Sequence, residues 1–341
     1  MDKTRETWID FVKIYACILV VLGHFFASMI DADIILTSTQ FKWFNQTIYY
    51  FHVPLFFICS GFLYQNYHCV RSFSQWRINV LKKLLDLGIP YFVFSIATYL
   101  LKFAFSGFVN KKVDDFLPTL FLHPLSPYWY LYALLIIFFV TFTISNKKEA
   151  MLFLVIALIM KIVSFFIDVD IVLIKYLLEN EIWFVIGMLF SVYDIPKILK
   201  KINFPICCII GCLFIALTVV VYLLNYDYKA IDFLMGVLGC LSTLMFFIKV
   251  DERLSKAKWI LNFIKYALPI FLMHTIFAAG FRSILVKIGV FNPFIHIAVG
   301  LTVSFVGPII AAIVMSRLSF LEFFLYPNKV LKSFKNRRKN V

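Results

Sequence analysis

The sequence predicts an all-α integral membrane protein of about ten transmembrane helices, with both termini cytoplasmic. Three observations carry this expectation. First, 62% of the 341 residues are hydrophobic and 15% charged, with a mean hydropathy of +0.90; soluble domains carry close to a quarter charged residues. Second, the apolar residues fall in runs of about 20, the length an α-helix needs to cross a hydrocarbon core ~30 Å thick. Third, the basic residues between runs alternate between dense and sparse segments, as positive-inside orientation requires.

The elements follow in order. The first run, Trp8–Ser28, is too long for a signal-peptide core and lacks a small-residue cleavage site, so it reads as a span. The second, Gln46–Gln65, tolerates Pro54 in its first turn and carries Gly61, which permits close backbone approach. Then come Leu84–Phe105, Tyr128–Ile144, Ala150–Ile167 and Ile171–Val192, the last two joined by the very short linker "FIDVDIVL". Pro205–Asn225, Ile231–Phe247, Leu268–Ile288 and Phe294–Arg317 complete the set. Residues 1–319 are expected to form one transmembrane domain and residues 320–341 a basic cytoplasmic tail ending "KVLKSFKNRRKNV".

With the N-terminus inside, the cytoplasmic segments and the tail hold 23 basic residues, Lys3 and Arg5 among them. The outer loops hold five: Lys42, Lys111, Lys112, Lys229 and Lys287. The net charge of +14 is therefore expected to serve orientation and contact with anionic lipid rather than nucleic acid. Membrane lipids are expected partners and nucleic acid is not. Cys17, Cys59, Cys69, Cys207, Cys208, Cys212 and Cys240 lie mostly inside apolar runs, which suits neither a disulfide framework nor a metal site. No metal is expected, because none of the histidines has metal-ligand spacing.

Five cations fall inside the runs: Lys13, Lys102, Lys161, Lys175 and Arg282. Ionisable groups at membrane depth are costly and mark functional candidates. Lys102, Lys161 and Lys175 lie towards the outer ends of their spans, where a long side chain snorkels to the surface. The first helix differs. At about 100° per residue, Asp10, Lys13, Cys17 and His24 share one stripe, and Asp10 and Lys13 are one turn apart and able to pair. Such a stripe faces protein or a water-filled cleft; it is either a packing seam or a functional surface. His52 and Ser60 lie on the second helix, His274 and Arg282 on the ninth. Glu179, Asn180 and Glu181 in "LLENEIWFVIG" either sit within the membrane or cap the helix at the outer surface. A histidine titrating near neutrality serves as a general base or an acyl acceptor, so acyl transfer is chemically open.

Taken together, the segments resemble the membrane-bound acyltransferase 3 family over nearly the whole chain, and its fucose 4-O-acetylase-like branch in particular. "WIDFVKIYACILVVLGH" is similar to the family's first helix, with Asp, then Arg or Lys, then His eleven residues on. "FHVPLFFICSGFLY" resembles its second helix, "LKKLLDLGIPY" its basic stretch leading to Pro-Tyr, "YWYLYALL" its fourth span and "YALPIFLMHTIF" its late element. There are departures. Lys13 stands where many members have Arg, and lacks the bidentate fork. The basic pair is spread over Arg77, Lys82 and Lys83, with "DLG" before Pro90. The extracytoplasmic esterase domain of many relatives is expected to be missing.

The resemblance implies an acyl-CoA-dependent O-acyltransferase of the bacterial plasma (inner) membrane, with acetyl-CoA as donor and a cell-surface glycan or lipid-linked sugar as acceptor. On that footing Lys13, Arg77, Lys82 and Lys83 are expected to hold the donor's phosphates. His24 is expected to act as general base or transient acyl carrier, with Asp10 and Lys13 as its support. Ser60, His274 and Arg282 would orient His24 or stabilise the oxyanion. His52, Trp129, Arg282 and Glu181 are expected on the acceptor. Tyr128 reads as an interfacial belt residue and Trp129 as a sugar platform. The alternative is a transporter or flippase for a glycan or small solute, using the buried charges as a permeation path. A third reading is a membrane sensor or binding module without chemistry.

Overall fold

A computed structural model describes residues 6–105, 115–256 and 258–339. The cations Lys3, Arg5, Lys111 and Lys112, and the last two residues of the expected tail, lie outside this set. In chain order the elements are α1 (Thr7–Ile30), α2 (Thr39–Tyr67), α3 (Phe73–Lys83), α4 (Ile89–Ala104), α5 (Phe116–Phe121), α6 (Trp129–Val140), α7 (Lys147–Phe166) and α8 (Val172–Val192). They continue with α9 (Ile195–Lys201), α10 (Phe204–Leu223), α11 (Lys229–Leu254), α12 (Lys258–Ile264), α13 (Ala267–Lys287), α14 (Pro293–Met315), α15 (Ser319–Leu325) and α16 (Pro327–Lys339). The chain is an all-α, multi-pass membrane protein.

Among the described residues eight helical stretches are long and apolar enough to cross a bilayer, and nine if α8 and α9, bent by 74°, count as one. The expected third span starts earlier than Leu84. A wide five-residue turn at Leu84–Gly88 joins α3 to α4, so Arg77, Lys82 and Lys83 lie on a helix and not in a loop. The expected fourth span is shorter than Tyr128–Ile144: only the twelve residues of α6 are helical, about 18 Å of rise. Thr141, Phe142, Thr143 and Ile144 are apolar enough to read as helix but are mostly β-branched, and a neighbour supplies their backbone with other partners.

Residue contacts divide the chain into two compact units. Unit one comprises Met1–Val20, Thr37–Arg71 and Thr141–Lys265. Its closest pair is α2 with α8. A methyl on Gly61 would lie 1.9 Å from the Phe184 carbonyl oxygen, and one on Gly187 would lie 2.0 Å from that of Ile58. Only hydrogen at both positions lets the two backbones meet, as in small-residue membrane packing. Because α2 begins at Thr39, capped by Ser38, Pro54 sits inside the helix and not in its first turn. Pro54 cannot donate to the Tyr50 carbonyl, and that oxygen is covered by Gly236 of α11, where a methyl would lie 2.7 Å away. The end of α2 secures the extended segment after α6. Tyr64 Oη donates to the Thr141 carbonyl at 2.7 Å, and Gln65 exchanges two 2.8 Å bonds with the Ile144 backbone. Non-helical backbone is thus satisfied by protein, as the interior of a membrane protein demands.

Unit two comprises Val21–Leu36, Ser72–Val140 and Tyr266–Val341. Here α13 packs along α14, with Gly300 closed over Phe25 and Gly307 over Phe277. Phe25, Met29, Ile34 and Ala278 form a buried cluster. The end of the chain folds as α15 and α16. Leu325 and Val330 are buried, and Asn328 Nδ2 donates to the Lys82 carbonyl at 3.1 Å.

Candidate active site

The second half of α1 brings His24 into unit two. Its Nε2 lies 3.3 Å from the hydroxyl of Ser126, in the segment leading into α6. Its ring lies 5.5 Å, centroid to centroid, from that of His274 on α13. His274 is 1% exposed. Its Nδ1 sits 3.0 Å from the carbonyl oxygens of both Ile270 and Phe271. Carbonyls only accept, so Nδ1 carries a proton, and in the neutral ring, the form that burial favours, Nε2 is left with a lone pair. That buried Nε2 has no hydrogen-bond partner among the described residues.

Tyr128 ties these pieces together. It is fully buried, which corrects its reading as a belt residue facing the interface. Its phenol donates to the Leu272 carbonyl at 2.9 Å and accepts from Thr98 Oγ1 at 2.8 Å, since one phenolic hydrogen serves one carbonyl. Leu272 is two residues before His274 and Tyr128 two after Ser126, so a single side chain fixes the spacing of both groups. Arg282, two turns beyond His274 on α13, is 6% exposed and donates through Nη1 to the carbonyl of Ser28 at 2.9 Å and also to its hydroxyl. Trp129 opens α6 half-buried, its amide donating to the Leu125 carbonyl. On α3, Arg77 and Lys82 are exposed, while the Lys83 ammonium lies 4.3 Å from the Phe138 ring centroid.

A hydroxyl beside an imidazole, with a second neutral imidazole alongside, is an arrangement suited to moving protons during attack on a carbonyl. The family model described as an acyltransferase domain matches residues 6–313.

The chain belongs to this acyltransferase family. It also resembles two proteins named nodulation protein NolL. That of Mesorhizobium japonicum is 30% identical over 138 residues, which is 40% of this chain and 35% of the relative. That of Sinorhizobium fredii is 34% identical over 145 residues, 41% and 36% of the two chains. The chain therefore spans about a third of the length of the curated relatives it matches. No solved structure matches it.

The remaining candidate residues lie in unit one. Asp10 and Lys13 are half-buried one turn apart on α1. Ser60 lies half-buried on α2 beside Gly61. His52, also on α2, is 3% exposed and donates from Nδ1 to the Ile48 carbonyl at 2.5 Å. Glu181 is the tenth residue of α8 and 6% exposed, so it is no cap at the outer surface. It accepts from Thr141 Oγ1 at 2.8 Å, and its second oxygen has no hydrogen-bond partner among the described residues. Lys161 does not simply snorkel: its ammonium donates to the Glu179 carbonyl at 3.1 Å and sits 5.7 Å from the Phe165 and Phe233 rings. Among the described residues no three His, Cys, Asp or Glu side chains are grouped to hold a metal.

Sequence reasoning missed two residues of this constellation, Ser126 and the anchoring role of Tyr128. Both precede the quoted fourth-span segment or open it, in "SPYWYLYALL". Their one signal was position: a serine and a tyrosine just ahead of an apolar helix, where a chain re-enters the fold.

Proposed function

We propose that the acyltransferase moves a short acyl group, acetyl in the first instance, from a cytoplasmic acyl-CoA to a hydroxyl of a cell-surface or exported glycan. The enzyme sits in the bacterial inner membrane with both termini cytoplasmic. His24 is the general base, or carries the acyl group transiently. The observation that carries this reading is the His24 imidazole with the Ser126 hydroxyl 3.3 Å from its Nε2 and the His274 ring 5.5 Å away centroid to centroid, in a chain matched by an acyltransferase family model over residues 6–313.

Most candidate residues have a part in this reading. Arg77, Lys82 and Lys83 on α3 receive the donor's phosphates, for which ammonium and guanidinium groups are suited. Asp10 and Lys13 support the stripe that ends at His24. Neutral His274 accepts rather than donates, so it steadies an imidazolium at His24 and does not bind an oxyanion. That part falls to Arg282, whose guanidinium can donate. Trp129 stacks on a sugar ring. His52 and Glu181 contact the acceptor.

The test compares wild type with His24→Ala, each purified, shown to be equally folded and incubated with radiolabelled acetyl-CoA and membranes bearing the host's surface glycans. Label should reach glycan with wild type and fail to with His24→Ala. Equal transfer by both removes His24 from its role. No transfer by either, with the native glycan present, defeats the proposal and favours a transporter.

A further inference from the structure

We propose that Ser126 is the acyl-bearing nucleophile of this chain, so that the acyl group rests on its oxygen between donor and acceptor. The inference rests on the acyl-transfer reading above and goes beyond it by assigning a covalent intermediate to a residue outside the membrane helices.

Four observations support it. Ser126 Oγ is within hydrogen-bond reach of His24 Nε2, at 3.3 Å, the relation of an activated hydroxyl to its base. The serine is exposed, whereas His24 is half-buried and His274 is 1% exposed. An acyl group on Ser126 is thus presented to a bulky glycan that need not enter between helices. The serine is also fixed in place: Tyr128 Oη bonds the Leu272 carbonyl at 2.9 Å, and the Trp129 amide bonds the Leu125 carbonyl at 3.1 Å. Finally, His24 lies seventeen residues beyond Thr7, the first residue of α1, roughly 26 Å along the axis. In the proposed orientation this sets the pair near the outer surface, far from the cytoplasmic donor's phosphates.

The chemistry closes without another reactant. His24 Nε2 takes the Ser126 proton as Oγ bonds the thioester carbonyl carbon. The carbon–sulfur bond breaks, and the leaving thiolate takes the proton from His24, giving acyl-Ser126 and free CoA. The acceptor hydroxyl then gives its proton to His24 while its oxygen bonds the acyl carbon. The Ser126 oxygen leaves and recovers the proton. During both steps the cationic His24 lies beside the His274 ring, 5.5 Å away centroid to centroid, whose Nε2 lone pair presents no second cation to it.

Purified wild type and Ser126→Ala are incubated with radiolabelled acetyl-CoA without acceptor, quenched in acid and mapped by peptide mass spectrometry. Glycan-bearing membranes are then added. Wild type should carry one acyl group on Ser126 that disappears as the glycan gains label. Ser126→Ala should carry none there and transfer at least a hundredfold more slowly, with an unchanged melting temperature because the hydroxyl is exposed. Wild type labelling glycan with no acyl on Ser126, or Ser126→Ala transferring at the wild-type rate, would falsify the relay and leave the acyl-transfer reading standing. Slower transfer by Ser126→Ala with no acyl-serine in wild type reduces Ser126 to a positioning residue and overturns the relay likewise. No transfer by wild type overturns both.

Discussion

Tyr128 donates its phenol to the Leu272 carbonyl at 2.9 Å, and that bond holds the Ser126 segment against the helix that carries His274. Replacing Tyr128 with Phe keeps the ring and removes the hydroxyl. The Leu272 carbonyl and the Thr98 hydroxyl then lose a partner in a buried setting, at a cost of about 1–3 kcal/mol. Tyr128→Phe should melt measurably lower and transfer acyl more slowly. A variant matching wild type in both melting temperature and rate would show that this bond positions nothing.

The glycine pair between α2 and α8 gives a second prediction. Gly61→Ala and Gly187→Ala each push a methyl to about 2 Å from a backbone carbonyl oxygen, where no flexible side chain can yield. The helices must separate, and each variant should lose well over ~2 kcal/mol and show this as aggregation or an early melt in detergent. Gly211→Ala and Gly280→Ala meet nothing within 4 Å and should be neutral, or stabilising by up to ~1 kcal/mol. Similar melting curves for all four variants would refute the close approach.

Glu181 separates charge from hydrogen bonding. Glu181→Gln keeps an oxygen to accept from Thr141 and removes the acid, whose second oxygen is buried without a partner among the described residues. Its stability should lie closer to that of wild type than Glu181→Ala does, because the Thr141 hydroxyl keeps its acceptor. Glu181→Ala strands the Thr141 hydroxyl and should cost about 1–3 kcal/mol. If Gln proves as harmful to melting as Ala, the carboxylate itself is structural. If Gln melts normally but slows transfer, the acid acts on the acceptor.

Orientation is open to a direct measurement. Cys69 is exposed in the link between α2 and α3, a segment proposed to be cytoplasmic. A membrane-impermeant maleimide should label it in permeabilised cells and leave it unlabelled in intact ones. Labelling of intact cells reverses the proposed topology.

The helices were legible from the sequence where apolar runs are long and bounded by charge; all ten expected spans contain helix. The fourth was misjudged because Thr141 to Ile144 pass for helix on hydropathy alone, while Tyr64 and Gln65, more than seventy residues earlier, draw them into an extended path. His24 and His274 were legible because an imidazole stands out in apolar sequence. Ser126 and Tyr128 were not. A serine in a loop and a tyrosine at a helix start are ordinary locally, and their significance comes from contacts with residues about 100 and 144 positions away in the chain.

The glycine contact between α2 and α8 also bears on how the protein is made. Roughly 120 residues separate Gly61 from Phe184, about 6–25 s of ribosomal synthesis. For that interval α2 waits in the bilayer without the neighbour its groove is shaped for. It is the least apolar of the eight candidate spans and has a proline in its middle. Its lodging therefore depends on lipid, α1 or the insertion machinery until α8 emerges, which makes α2 the segment most exposed to quality control during biogenesis.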